Sequence, residues 1–165
     1  MLIWAAAAGL GGVGCHGYRV LDFRGVQVEG FPDSLCGQRR VKALYFGPDG
    51  WTLYPPLSAL PSDTLNQITA LPACIGQLGQ LEVLSLQATG LRTIDPALFG
   101  LERLRHLDLS GNPELDISRY AAQIVRMKRL QHLNIAGCQS DPESLRMLQL
   151  ARPELDVITS WHLPP

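Results

Sequence analysis

Residues 81–89 read LEVLSLQAT, residues 104–112 read LRHLDLSGN and residues 130–138 read LQHLNIAGC. Each segment carries an aliphatic residue at positions one, four and six, then Thr, Asn or Cys at position nine. They open at Leu81, Leu104 and Leu130, 23 and 26 residues apart. Self-similarity at such a period marks a repeat architecture. Apolar residues two apart at the end of the motif have strand periodicity. Leu84/Leu86, Leu107/Leu109 and Leu133/Ile135 are therefore expected to point inward, and the residues between them outward.

The pattern extends in both directions. YRVLDFRGV opens at Tyr18, VKALYFGPD at Val41 and RPELDVITS at Arg152, and a weaker unit starts near Ser58 and ends in Asn66. Units are expected near residues 18, 41, 58, 81, 104, 130 and 152. The second half of the unit repeats too. Val28, Phe31-Pro32, Leu35 and Val41 share their spacing with Ile68, Leu71-Pro72, Ile75 and Leu81, and with Leu91, Ile94, Leu98 and Leu104. Trp51 and Tyr54-Pro55 begin the same series. The Ser58 unit is aberrant, because its inward positions would be Pro61 and Asp63, both unfavourable in a central strand. An irregular strand or bulging loop is expected over 54–64.

LxxLxLxxN followed by LxxLPxxIGxLxxL resembles the leucine-rich repeat superfamily in its plant-type and bacterial forms, most clearly in ITALPACIGQLGQLEVLSL at 68–86. The resemblance implies an α/β solenoid: a right-handed superhelix, bent into a horseshoe arc, with a parallel concave sheet and about six or seven repeats. The repeat domain is expected over 18–159, between an apolar segment at 1–17 and a tail at 160–165. Asn66 and Asn112, at position nine, can satisfy backbone groups of neighbouring turns. Thr89 and Cys138 are poorer substitutes there. Pro72 and Gly76 suit short 3₁₀ pieces on the return path. Asp141-Pro142 predicts an N-capped helix with Leu145, Leu148 and Ala151 at helical spacing. Ser118 is expected to cap another helix, with Tyr120, Ile124 and Met127 on one face, which accounts for the 26-residue unit. These last two units resemble the helix-bearing, cysteine-containing repeat type.

The 165 residues fit one domain. A hydrophobic fraction of 46% with 18% charged residues is a folding composition. The net charge of −1 gives no reason to expect nucleic acid or an anionic membrane as partner. Cys15, Cys36, Cys74 and Cys138 are scattered, with no CxxC pair, which predicts packing rather than a zinc site or disulfides. Residues 1–15, MLIWAAAAGLGGVGC, have the apolar middle of a secretion signal but no Lys or Arg ahead of it. Gly14-Cys15 resembles the end of a bacterial lipoprotein signal, with Gly12 where a larger aliphatic residue is usual. A frayed first repeat is the reading preferred over export or anchoring at Cys15. GLGGVG at Gly9–Gly14 lacks the preceding strand and following helix of a nucleotide loop. GxSxG, HExxH and the P-loop lysine motif are absent, so neither catalysis nor a cofactor is expected.

In a solenoid the concave face is the extended surface open to a partner. Its central column is expected to hold Asp22, Tyr45, Ser62, Ser85, Asp108, Asn134 and Asp156. The column before it holds Val20, Ala43, Leu60, Val83, His106, His132 and Glu154, and the column after it includes Gln87. Tyr45, Ser85, Gln87, His106, Asp108, His132, Asn134, Glu154 and Asp156 are the candidate contact residues. The polar, acidic C-terminal half suits a basic or polar segment of a protein partner. His106 and His132 also suggest a pH-sensitive pair. A metal site with Asp108 is disfavoured, since side chains on parallel strands in register need not converge.

The expected function is protein–protein interaction through the concave face, without catalysis. The alternative is the recognition fragment of a larger enzyme, such as a bacterial effector or ubiquitin ligase. Family resemblance points to bacterial origin. The absence of a cysteine cluster points to the cytoplasm, or a host cell's cytoplasm. A monomer with a protein partner, and no membrane contact, is expected.

Overall fold

The computed structural model describes residues 19–48 and 66–160. Six strands form one sheet: β1 (Arg19–Asp22), β2 (Val41–Phe46), β3 (Val83–Leu86), β4 (His106–Asp108), β5 (His132–Asn134) and β6 (Asp156–Ile158). Each pairs in parallel with the next in chain order, and the sheet stays open, with β1 and β6 at its edges. Parallel neighbours need a crossover on the far side of the sheet. Here the return path carries 3₁₀ turns at Asp33–Leu35, Ala73–Gln77 and Pro96–Gly100. In the fourth and fifth units helices replace them: α1 (Ala121–Arg126), led by a 3₁₀ turn at Ile117–Tyr120, and α2 (Pro142–Ala151). Among the described residues no helix is long and apolar enough to cross a membrane.

The register explains the core. Leu44 pairs with Leu84, Leu84 with Leu107 and Leu107 with Leu133, so equivalent leucines stack from unit to unit, all fully buried. Ile68, Ile75, Leu91 and Leu98 meet them from the return path. Burying one such side chain stabilises by about 2 kcal/mol. At the N-terminal end the core turns aromatic, with Phe23 stacked on Phe46 at 5.1 Å and Phe31 at 5.9 Å.

Position nine does what its amide chemistry allows. The Asn112 carbonyl oxygen accepts from the backbone N–H of Thr89 (3.1 Å) and Leu91 (2.9 Å). Its amide nitrogen donates to the carbonyls of Leu86 (2.9 Å) and Leu109 (2.7 Å). The Thr89 hydroxyl donates to the Leu86 carbonyl and to the Asn112 side-chain oxygen, and the Cys138 thiol to the Leu109 carbonyl alone. Close approach between turns fixes Gly47, whose φ is +117° and where an added Cβ would lie 2.4 Å from the Gln87 carbonyl oxygen. At position eight Gly111 takes φ +70°, matched in its neighbour by Ala88 at φ 50°.

The Ser58 unit is not a repeat. β2 hydrogen-bonds directly to β3, which leaves no place between them for Leu60, Ser62 and Thr64. Asn66 instead completes the β2 unit, accepting from Gly47 N–H at 2.5 Å and donating to the carbonyls of Phe23 and Val26. On the return path Glu29 bridges Gln67, so the first unit lies directly against residues that follow Asn66. Residues 49–65 are thus an insertion within the second repeat. The irregular strand expected at 54–64, and the Trp51 and Tyr54-Pro55 match, lie outside the described residues.

Three local expectations are corrected. Asp116, not Ser118, caps the turn leading into α1, accepting from Ser118 N–H at 3.1 Å. The Ser118 hydroxyl instead accepts from Asp141 N–H. Asp141 caps α2 as expected, but Ala151 is exposed while Leu148 is buried. The sixth unit opens at Leu155 rather than Arg152: Leu155 N–H closes on the Arg152 carbonyl as Leu130 N–H closes on Met127.

The cysteine expectation also fails. Cys36 and Cys74, both half-buried on neighbouring return-path turns, form a disulfide with their Cα atoms 5.3 Å apart. Cys138 is free and half-buried, and Cys15 lies outside the described residues.

Candidate functional site

Parallel pairing in register sets equivalent side chains side by side at the strand spacing of about 4.8 Å. His106 and His132 hold the same repeat position, and their rings stack, 4.6 Å between centroids and 6° between planes. The next residue in that column is Asp156, whose carboxylate lies 3.1 Å from His132 Nδ1. All three side chains are exposed. Partial burial, then the charges of His132 and Arg105, hold the His106 imidazole below its ordinary value.

Asp108 and Asn134 form the second column, half-buried. One Asp108 oxygen accepts from the Ser110 N–H (2.9 Å) and hydroxyl (2.6 Å), and the other from the Asn134 amide at 3.4 Å. Asn134 in turn accepts from Ala136 N–H. Asp22 accepts from Arg24 N–H in the same way. These side chains therefore end their strands as well as lying on the sheet face. Tyr45 and Ser85 complete the column toward the N-terminus, half-buried, with the Arg24 guanidinium 5.1 Å above the Tyr45 ring. Gln87 lies in the following column, half-buried.

The shifted start of the sixth unit rearranges the predicted columns. Asp156 pairs with His132 and Ile158 with Asn134, so Asp156 moves back one column and exposed Ile158 enters the central one. Glu154 leaves the face altogether and sits in the turn before β6. The physical cause is Arg152, buried at the end of α2. Its guanidinium donates to the carbonyls of Met127 (2.8 Å) and Leu130 (2.9 Å), and Glu154 pairs with it. That anchor sets Leu155, not Arg152, at the opening of the unit. Sequence reading missed Arg152, and with it set Ile158 one column beyond the central one. The signal available was the i to i−3 spacing of Leu155 from the last helical turn, equivalent to that of Leu130.

Among the described residues no three His, Cys, Asp or Glu side chains gather closely enough to hold a metal ion. Burial pushes the Cys138 thiol up to about 11, so it is protonated and a poor nucleophile at neutral pH.

Residues 79–139 match the model of the leucine-rich repeat family. A search by sequence among curated proteins returns no significant match. Among solved structures, a leucine-rich repeat protein of Leptospira interrogans superposes with a TM-score of 0.53 at 23% identity, over 79% of this chain and 34% of that one. The leucine-rich repeat ectodomain of the receptor kinase SOBIR1 of Arabidopsis thaliana superposes with a TM-score of 0.54 at 20% identity, over 86% of this chain and 67% of that one. The chain thus spans about a third of the Leptospira protein. Residues 79–139 thus match the leucine-rich repeat family, and the described residues have the leucine-rich repeat fold.

Proposed function

We propose that this chain is a non-catalytic interaction module that receives a basic or polar segment of a protein partner on the C-terminal half of its concave face. The observation that carries the reading is the exposed ladder His106–His132–Asp156, backed by Asp108 and Asn134. Among the described residues, neither of its two carboxylates, Asp108 and Asp156, pairs with Lys or Arg. Such a surface steers and selects a cationic segment. An extended face without a deep apolar pocket suits a peptide or protein surface better than a small molecule. The Cys36–Cys74 bond supports a working place in an oxidising compartment rather than the cytoplasm.

The test is affinity capture followed by quantitative mass spectrometry, comparing the wild type with an Asp108→Asn/Asn134→Ala/Asp156→Asn variant of matched expression and circular dichroism. Loss of most of the specific partner is expected. Undiminished capture would refute the assignment of the binding face.

A further inference from the structure

The two-residue turns ahead of the strands stack along one lateral edge of the solenoid: Arg39-Arg40, Gly79-Gln80, Glu102-Arg103, Lys128-Arg129 and Pro153-Glu154. Around the fourth and fifth units this edge is hollow. One hollow is lined by Glu82, Arg103, Arg105 and Arg129. A larger one, about 330 Å³, shares Arg105 and Arg129 and adds Lys128, Gln131 and the Arg152–Glu154 pair. Both carboxylates are already matched, Glu82 by Lys42 at 3.2 Å and Glu154 by Arg152. Arg103 donates to Gln80 at 2.6 Å. Arg105, Lys128 and Arg129 are exposed and, among the described residues, make no ion pair or side-chain hydrogen bond. Glu102 lines neither hollow.

Four cations thus converge, in a chain of net charge −1, without a carboxylate left to balance them. Their mutual repulsion is relieved by an anion, and a concave wall focuses their field on it. The planar fork of arginine matches the two oxygens of a carboxylate or phosphate. The hollows span two repeats, a distance of about 5 Å between strands. That is too short for the run of phosphates along a nucleic acid, but it accommodates one oxyanion and its neighbour. We propose that this edge is a second recognition site, separate from the concave face, which binds an acidic segment of a protein. Arg105 and Arg129 are the principal ligands, with Arg103 and Lys128 flanking. Carboxylate and phosphate ester share the chemistry that the site reads.

Fluorescence anisotropy at low ionic strength tests the site, using the full chain and fluorescein-labelled hexaglutamate, a phosphoserine-containing peptide and hexaglutamine. Either anionic peptide should bind at least tenfold tighter than hexaglutamine, and the tighter of the two identifies the preferred oxyanion. Arg105→Gln/Arg129→Gln should weaken that binding tenfold or more. Arg39→Gln/Arg40→Gln, which removes equal charge from the same edge outside the hollows, should change it by less than about twofold. The proposal is overturned if neither anionic peptide exceeds hexaglutamine, or if both double variants lose binding equally. Tighter binding to phosphatidylserine vesicles than to either peptide would overturn it as well.

Discussion

The amide of Asn112, fully buried, meets five backbone groups drawn from two successive turns. Asn112→Ala would orphan the N–H groups of Thr89 and Leu91 and remove a partner from the carbonyls of Leu86 and Leu109. Unsatisfied buried groups cost about 1–3 kcal/mol each, partly relieved by local rearrangement. Urea denaturation followed by circular dichroism should show a loss of about 3 kcal/mol; a change under about 0.5 kcal/mol would remove the amide ladder from the energetics. This role is legible in sequence, because position nine recurs and, of the residues found there, only Asn offers two N–H donors and a carbonyl acceptor on one planar group. The role of Arg152 is not. Its partners are the carbonyls of Met127 and Leu130, more than twenty residues back, and nothing local in RPELDVITS signals a buried cation.

At the scale of elements, spacing located β3, β4 and β5 through their leucines, and Asp141-Pro142 located α2. It failed where the period was interrupted. Residues 49–65 hold enough apolar residues to imitate a weak repeat, and it takes the direct pairing of β2 with β3 and the hydrogen bond from Gly47 N–H to Asn66 to show that they are inserted into one. The disulfide was hidden for the same reason: Cys36 and Cys74 are 38 residues apart, more than a repeat, and their turns are recognised as neighbours only once β2 and β3 are known to be adjacent. A cross-link closing a loop of that length stabilises by about 4 kcal/mol in the chain-entropy model. Peptide mapping without reduction should recover Cys36 and Cys74 in one linked pair. Cys36→Ser/Cys74→Ser should lower stability by about 3–4 kcal/mol. Recovery of both as free thiols from freshly isolated native protein would contradict the bond and the oxidising compartment it supports.

The whole molecule divides its surface by direction. The sheet face presents the stacked imidazoles and carboxylates of the fourth to sixth units, while the edge ahead of the strands gathers Arg103, Arg105, Lys128 and Arg129. The face was legible as far as β5, because a parallel register carries one repeat position to the next. It was misread at β6, where the Arg152 anchor moves Asp156 beside His132 and turns Glu154 to the edge. The basic edge was not legible, since Arg103, Lys128 and Arg129 lie just ahead of the repeating motif, Arg105 holds a variable position within it, and they come together only through stacking. Hydroxyl-radical footprinting of the captured complex addresses the concave face most directly. His106 and His132 should be protected when the partner is bound, while Met147, exposed on α2, keeps its oxidation rate. Unchanged oxidation of both histidines, with protection of Met147 instead, would place the partner on the opposite side of the solenoid and contradict the assignment.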